Sequence, residues 1–216
     1  MEANLLTLLR ILLVFAVIGL YRIAFWTDVA ALCLTAVVIY MDALDGLLAR
    51  RLGIASKLGA LFDITGDRIV ENVLWVYFAA IGMVSLWAAV IVVARSFLVD
   101  WLRVVAFSQE GTTPFGEKTM LKTSWAKALA SSRFSRGLYG VTKAIVFVYL
   151  GGLLALESGR AELGWRLAES SLKGLQLAGQ ILVWLTVFMC IVRGIPVLWD
   201  SREVLTRKMF PASLEN

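Results

Sequence analysis

Four aspartates stand close together in a chain that is otherwise strongly apolar, and their spacing suits a shared site. They are Asp42, Asp45, Asp63 and Asp67, in the pattern D-x2-D-G-x2-A-R-x8-G-x3-D-x3-D. The first pair is separated by three positions and the second by four, so on helices each pair lies on one face. A charged side chain at the centre of a bilayer costs about 2.5–3.5 kcal/mol on insertion scales. Four carboxylates in one short stretch therefore require a compensating cation.

The residues between the acids indicate what that cation would help to bind. Hard divalent ions neutralise clustered carboxylates because they prefer oxygen ligands. Gly46 and Gly59 remove side-chain bulk where a ligand approaches the backbone. Arg50 adds a permanent cation whose planar fork suits phosphate. Together these residues predict a nucleotide diphosphate held by metal ions.

The same stretch resembles the signature of the CDP-alcohol phosphotransferase family. These integral membrane enzymes move a phosphatidyl-type group from a CDP-linked donor to an alcohol and release CMP. Every fixed position of the signature is filled here, from Asp42 to Asp67. The opening Asn4-Leu5-Leu6-Thr7-Leu8-Leu9-Arg10 is also similar to the family's usual first-helix start.

The resemblance implies a role for each residue of the signature. Two divalent ions, Mg2+ or Mn2+, would be bound by Asp42, Asp45, Asp63 and Asp67. Asp67 would in addition act as the general base for the acceptor hydroxyl. The cytidine and phosphates of a CDP-diacylglycerol-type donor would be lined by Gly46, Ala49, Arg50, Ser56 and Gly59.

Basic residues in later helices indicate an acceptor alcohol that itself carries phosphate. Ala94-Arg95 and Arg103 resemble the A-R-E-x5-L-R pattern of phosphatidylglycerophosphate synthases, with Ser96 in place of the glutamate. Arg136 completes the expected acceptor pocket. The alternative for each arginine is pairing with an acid or reaching to lipid headgroups.

The ranking of acceptors follows from this pocket. Glycerol 3-phosphate comes first, which makes the chain most like a phosphatidylglycerophosphate synthase among members of the family. Asp67-Arg68 is similar to inositol-lipid members, so inositol or inositol phosphate comes second. Free serine ranks lower because it would leave a phosphate pocket unexplained.

Composition predicts an all-α integral membrane bundle. Of 216 residues 60% are hydrophobic, and the mean hydropathy of +0.80 fits one membrane domain over residues 1–216 better than a soluble globule. A span needs about 20 mostly apolar residues. Six such helices are predicted near residues 4–24, 28–50, 57–82, 84–107, 134–157 and 174–199. The second and third carry the aspartates, whose faces must point into the bundle or into water.

Charge predicts the orientation and the partners. Lysines and arginines are concentrated after the second and fourth predicted helices and in the tail. The positive-inside rule then places both termini and the active site on the cytoplasmic side of the cytoplasmic membrane. In so apolar a chain the net charge of +5 is expected to face anionic lipid and not nucleic acid. We also expect a homodimer.

Other functions are compatible with part of the pattern. Isolated aspartates usually cap helices or form structural ion pairs. Carboxylates inside a membrane also occur in cation transporters and proton relays. Arg50 argues against transport because it would repel the transported cation. A catalytically silent lipid-binding relative is disfavoured because all four acids are intact. For residues 114–130, a surface amphipathic helix and an irregular loop both remain open.

Overall fold

The computed structural model describes residues 2–52, 57–110 and 132–209, most of which lie in α-helices. The described ranges contain no strand, so the all-α prediction is confirmed. The helices are α1 (Glu2–Leu20), α2 (Phe25–Leu52), α3 (Lys57–Ala80), α4 (Leu86–Glu110), α5 (Arg133–Leu163) and α6 (Glu169–Met209). Each of the six predicted segments corresponds to one of them. The predictions for Ser56 and for residues 114–130 lie outside the described residues.

The longest helix, α6, extends beyond its predicted end at residue 199 and continues to Met209. Hydropathy locates only the apolar part of a helix, whereas the backbone can stay helical where the side chains become polar. Pro196 lies inside α6 without ending it. Membrane helices tolerate proline where neighbouring groups satisfy the freed backbone carbonyl.

Two of the described helices are long and apolar enough to cross a membrane by length and composition. They contain the segments Phe134–Leu163 of α5 and Glu169–Trp199 of α6. Leu5–Leu20 and Phe25–Met41 are also apolar but shorter. α3 carries the charged residues Asp63, Asp67, Arg68 and Glu71. Composition thus identifies two spans among the described residues, and the six-span bundle stays a prediction.

The chain divides into two compact units. Unit 1 comprises Met1–Ala89 and Lys143–Trp184, and unit 2 comprises Val90–Thr142 and Leu185–Asn216. Unit 1 thus contains α1, α2 and α3, and with them all four aspartates. Unit 2 contains the three arginines of the expected acceptor pocket. The single domain expected over residues 1–216 stays a prediction.

Within unit 1, α1 packs against both α2 and α3. Its buried face includes Thr7, Arg10, Val14 and Val17, spaced at the helical repeat. α3 also packs against α5 through Trp75, whose ring meets that of Phe147 edge to face with centroids 5.4 Å apart. The helix that carries two of the aspartates is therefore held by two neighbours.

A polar cluster joins the start of α2 to the end of α5 in unit 1. Arg22 adopts a left-handed backbone conformation with φ of 66°, and its N–H donates to the buried Asp28 carboxylate. Asp28 also accepts a hydrogen bond from Ser158. The carboxylate of Glu162 accepts from the backbone N–H of Phe25 at 3.0 and 3.1 Å. These contacts satisfy donors that a helix start leaves without intrahelical partners.

Candidate active site

The carboxylates of Asp63 and Asp67 converge on one cation, the guanidinium of Arg10. They stand one turn apart on α3, and each side chain is 40% exposed. Nη2 of Arg10 donates a hydrogen bond to Oδ1 of Asp67. The same nitrogen lies 3.7 Å from Oδ1 of Asp63. The predicted pairing of these two acids on one helix face is confirmed, and both reach the same positive charge.

Arg10 is the member of this group that lies inside the protein. The residue is only 1% exposed, on the face of α1 that packs against its neighbours. A buried guanidinium is strongly destabilising unless it is paired. Arg10 lies outside the aspartate signature and entered the sequence interpretation only as part of the first-helix start. The signal that could have identified it was a single arginine within an apolar helix, where an acidic partner is required.

Close packing between α1 and α3 brings the guanidinium to the acids. A Cβ added at Gly66 would collide with Cγ2 of Thr7 and lie 3.5 Å from Nη2 of Arg10. Thr7 is one turn before Arg10, and Gly66 immediately precedes Asp67. Glycine therefore permits the approach at the level of the acids. Gly66 is thus a packing residue between α1 and α3.

The acidic stripe of α3 continues one turn further, at Glu71. This side chain is buried and accepts from Nζ of Lys143 at 2.7 Å and from Nη1 of Arg68 at 3.2 Å. Asp63, Asp67 and Glu71 are spaced four apart and so share one face. Cations from α1 and α5 thus meet the stripe at different levels. For Lys143, structural ion pairing is the arrangement observed.

The remaining residues of the signature lie at the end of α2 and the start of α3. The helical backbone of α2 continues through Leu52, so Asp42 and Asp45 occupy one helical face by their spacing. Their side chains lie outside the described part of the chain, as do those of Gly46, Ala49 and Arg50 and the whole of Ser56. Gly59 lies in the first turn of α3 and is half-buried. The set of four metal ligands stays a prediction.

The described half of that set fits a hard divalent cation. Carboxylate oxygens are the ligands that Mg2+ and Mn2+ prefer. Asp63 and Asp67 already direct their Oδ1 atoms to a shared positive charge while keeping part of each side chain exposed. The chemistry of the donors and their convergence both agree with the predicted ion.

In unit 2, two arginines lie close to one tyrosine ring. Cζ of Arg95 on α4 lies 6.0 Å from the centroid of Tyr139, and Cζ of Arg193 on α6 lies 5.4 Å from it. Arg193 also donates from Nη1 to Oγ of Ser135 at 2.8 Å. A Cβ at Gly194 would come within 3.1 Å of Cγ of Arg95. Residues of α4, α5 and α6 thus form a basic cluster around an aromatic face.

The arginines expected to bind the acceptor differ in position. Arg95 belongs to the basic cluster, while Arg136 is exposed in the first turn of α5. Arg103 lies on α4, two turns after Arg95, and its side chain is outside the described part. Nε of Arg95 and Oγ of Ser96 are buried and have no hydrogen-bond partner among the described residues. Of the three expected acceptor arginines, Arg95 is the one that the described part of the chain places in the basic cluster, where it is joined by Arg193 and Tyr139.

The amino-acid sequence of this chain matches one family of known proteins. A model of the CDP-alcohol phosphatidyltransferase family matches residues 1–192, from α1 into α6. A probable phosphatidylglycerophosphate synthase of Mycobacterium tuberculosis, strain CDC 1551 / Oshkosh, is 29% identical over 164 residues, which are 71% of this chain and 75% of the relative. Its counterpart in strain H37Rv gives the same values.

A second kind of relative comes from Mycoplasma pneumoniae. This CDP-diacylglycerol--glycerol-3-phosphate 3-phosphatidyltransferase is 30% identical over 94 residues, which are 44% of this chain and 40% of the relative. The family match covers most of the chain, including the complete aspartate signature. The chain therefore belongs to the CDP-alcohol phosphatidyltransferase family and is a transferase of phospholipid synthesis.

Proposed function

We propose that this protein transfers the phosphatidyl group of CDP-diacylglycerol to glycerol 3-phosphate and releases CMP. The observation that carries the proposal is the convergence of the Asp63 and Asp67 carboxylates within a complete family signature. The relatives are named probable phosphatidylglycerophosphate synthase and CDP-diacylglycerol--glycerol-3-phosphate 3-phosphatidyltransferase, and these names support glycerol 3-phosphate as the acceptor. Inositol phosphate is the second candidate, because the basic cluster suits any acceptor that carries phosphate.

The reaction is a displacement at phosphorus in which Asp67 receives the proton. The acceptor hydroxyl oxygen forms a bond to the phosphorus that bears diacylglycerol. The bond between that phosphorus and the oxygen of the CMP phosphate breaks, and CMP leaves with the electron pair. The hydroxyl proton passes to the Asp67 carboxylate, which must lie within hydrogen-bond reach of the hydroxyl. Precise placement of this carboxylate is therefore the main demand on the fold.

The other residues of the signature bind the donor. Asp42, Asp45, Asp63 and Asp67 would hold two divalent ions, Mg2+ or Mn2+, which when bound stabilise negative charge on the diphosphate. The fork of Arg50 suits a phosphate of the donor. Small residues allow the cytidine and its phosphates to approach the backbone. These residues are Gly46, Ala49, Ser56 and Gly59.

The basic cluster of unit 2 is proposed as the binding site for the acceptor phosphate. Arg95 and Arg193 place two guanidinium groups beside the ring of Tyr139. Guanidinium forks bind phosphate through charge-assisted hydrogen bonds. The buried Nε of Arg95, which lacks a partner among the described residues, provides a donor for such a bond. Arg103 and Arg136 complete the proposed pocket.

The proposed setting is the cytoplasmic membrane, with all six helices crossing it. The apolar segments of α5 and α6 and the family's lipid donor support this placement. In that arrangement both termini and the aspartates face the cytoplasm, where CMP can be released. Membrane lipids surround the bundle, and the expected homodimer stays a prediction.

Purified protein supplied with CDP-diacylglycerol and Mg2+ is expected to release CMP most efficiently with glycerol 3-phosphate. The panel of acceptors is glycerol 3-phosphate, inositol phosphate, inositol and serine, and the lipid product is identified by mass. CMP release by itself tests the transferase assignment, while the ratio of kcat/KM values tests the acceptor. A preference for serine or inositol would contradict the phosphate pocket, and no CMP with any acceptor would contradict transfer from this donor.

Arg95→Ala is expected to raise the KM for the acceptor much more than the KM for the donor. A hydrogen bond to a charged group contributes about 1.5–3 kcal/mol. Each 1.4 kcal/mol corresponds to about tenfold in affinity. The same direction is expected for Arg103→Ala and Arg136→Ala. Steady-state kinetics with each substrate varied in turn measure both constants.

The matched control is Arg166→Ala, since Arg166 is an exposed arginine between α5 and α6. This variant should leave both constants unchanged. If Arg95→Ala raised the two KM values equally, the loss would reflect structural damage. Unchanged kinetics would assign Arg95 to packing against Tyr139 and Gly194.

A further inference from the structure

Arg10 differs from an ordinary structural ion pair in the distribution of burial across the contact. The guanidinium is almost completely buried, whereas the two carboxylates that it faces are each 40% exposed. Oδ1 of Asp63, which faces the guanidinium, is buried, but the exposed part of each carboxylate can be satisfied by water and does not need a buried arginine for stability. Burying the guanidinium costs desolvation free energy, which its interaction with the acids must offset. The arrangement therefore points to a function for the cation at the acids.

The contact constrains the orientation of the carboxylate of Asp67. Nη2 of Arg10 engages Oδ1, and this engagement also fixes the direction of Oδ2 because the group is planar. Rotation of the Asp67 side chain would break a charge-assisted bond, which is stronger than a neutral one. A base that must meet a hydroxyl at hydrogen-bond distance benefits directly from such a constraint.

The packing of α1 on α3 provides independent support. Gly66 has no side chain at the point where Thr7 approaches α3, and a methyl group there would collide with Cγ2 of Thr7. The contact lies one turn from Arg10 on α1 and one residue from Asp67 on α3. The two helices are thus in close contact beside the point where the guanidinium reaches the acid.

The charge of Arg10 also acts on any cation that the acids bind. A permanent positive charge in contact with Asp67 and 3.7 Å from Asp63 repels a divalent ion at the same oxygens. Removing that charge should strengthen the binding of the ion. It should also free Asp67 to rotate, which weakens turnover. The two effects have opposite signs, whereas structural damage would weaken both properties.

We propose that Arg10 is a positioning residue that holds the Asp67 carboxylate in its working orientation and weakens the affinity of the acids for divalent cations. The role in turnover rests on the function proposed above. The effect on cation affinity depends only on the contacts of Arg10 with Asp63 and Asp67.

The test compares Arg10→Gln and Arg10→Lys with the wild-type protein. Binding of Mn2+ is measured without donor or acceptor, from the electron paramagnetic resonance signal of the free ion. Arg10→Gln is expected to bind Mn2+ several-fold more tightly and to lose about 100-fold in kcat, the loss typical of a misplaced group. Arg10→Lys keeps the charge, so its Mn2+ affinity should remain near that of the wild type and part of kcat should return. Arg166→Gln, at the exposed arginine, should match the wild type in both measurements.

Other outcomes would overturn the proposal. Unchanged Mn2+ affinity in Arg10→Gln would exclude the effect on the cation, and unchanged kcat would exclude the positioning role. A parallel decrease in both would identify Arg10 as a structural residue. Absence of Mn2+ binding in the wild type would remove the cation from the proposal. If the wild type bound Mn2+ but released no CMP, the proposed function would fail while the affinity comparison still tested Arg10.

A second pair of variants tests positioning without changing any charge. Gly66→Ala should separate α1 from α3 and reduce kcat, because the new methyl group collides with Thr7. Adding Thr7→Ser removes the colliding methyl and should restore most of the loss. Gly66→Ala with wild-type kcat would contradict the need for close approach, and so would a loss that Thr7→Ser leaves unchanged in folded protein.

Discussion

Asp67→Asn is expected to abolish phosphatidyl transfer while the protein still binds its CDP-linked donor. The amide fills the volume of the carboxylate but cannot take up the proton of the acceptor hydroxyl. Loss of a general base costs typically about 10²–10⁴-fold in rate. The amide also weakens the contact with Arg10, which removes the constraint on the side chain. We therefore expect the loss in kcat to lie in the upper part of that range or beyond it.

Turnover and donor affinity must be measured together on the same preparation. CMP release in a single turnover measures the chemical step, and equilibrium binding of the CDP-linked lipid measures the donor site. Glu169→Gln is the control, because it converts an exposed acid at the start of α6 to its amide. Turnover close to that of the wild type in Asp67→Asn would remove Asp67 from the mechanism. If Asp67→Asn bound the donor more weakly but released CMP from bound donor at the wild-type rate, Asp67 would be a binding residue only.

Removal of divalent cations is expected to eliminate activity completely, and Mg2+ or Mn2+ should restore it in the same sample. The four predicted ligands carry four negative charges, whereas Arg10, which contacts Asp63 and Asp67, carries one positive charge. Oxygen-binding ions would compensate the remainder and stabilise the charge that develops on the leaving diphosphate. The expected dependence on free metal is saturable, because the ions bind at a defined site.

Chelation with EDTA followed by stepwise addition of metal measures this dependence. Circular dichroism before and after chelation separates loss of the ion from loss of the helical fold. Binding of the CDP diphosphate should show the same dependence on metal as CMP release. Full transfer in metal-free buffer would refute the proposed site, as would donor binding that does not change with metal.

Local patterns in the sequence determined the secondary structure and the family. Apolar runs predicted the six helices of the described ranges, because the hydrophobic periodicity of a helix is contained within its own segment. The aspartate signature predicted the family because its fixed residues lie within one short stretch, and the match to residues 1–192 confirmed it. Two of the described helices meet the requirements of length and composition for a membrane span, and the six-span bundle stays a prediction.

The contacts that connect distant residues were decided only by the tertiary structure. Arg10 and Asp67 are separated by 57 positions, and no local pattern relates an arginine of α1 to an acid of α3. The pairing of Glu71 with Lys143 and the two arginines around Tyr139 depend in the same way on how helices pack. In the sequence, Gly66 is only a small residue. Its role in helix packing follows from the methyl group of Thr7 that lies opposite it in the structure. Spacing along one helix thus places acids on a common face, while packing between helices determines which cation they meet.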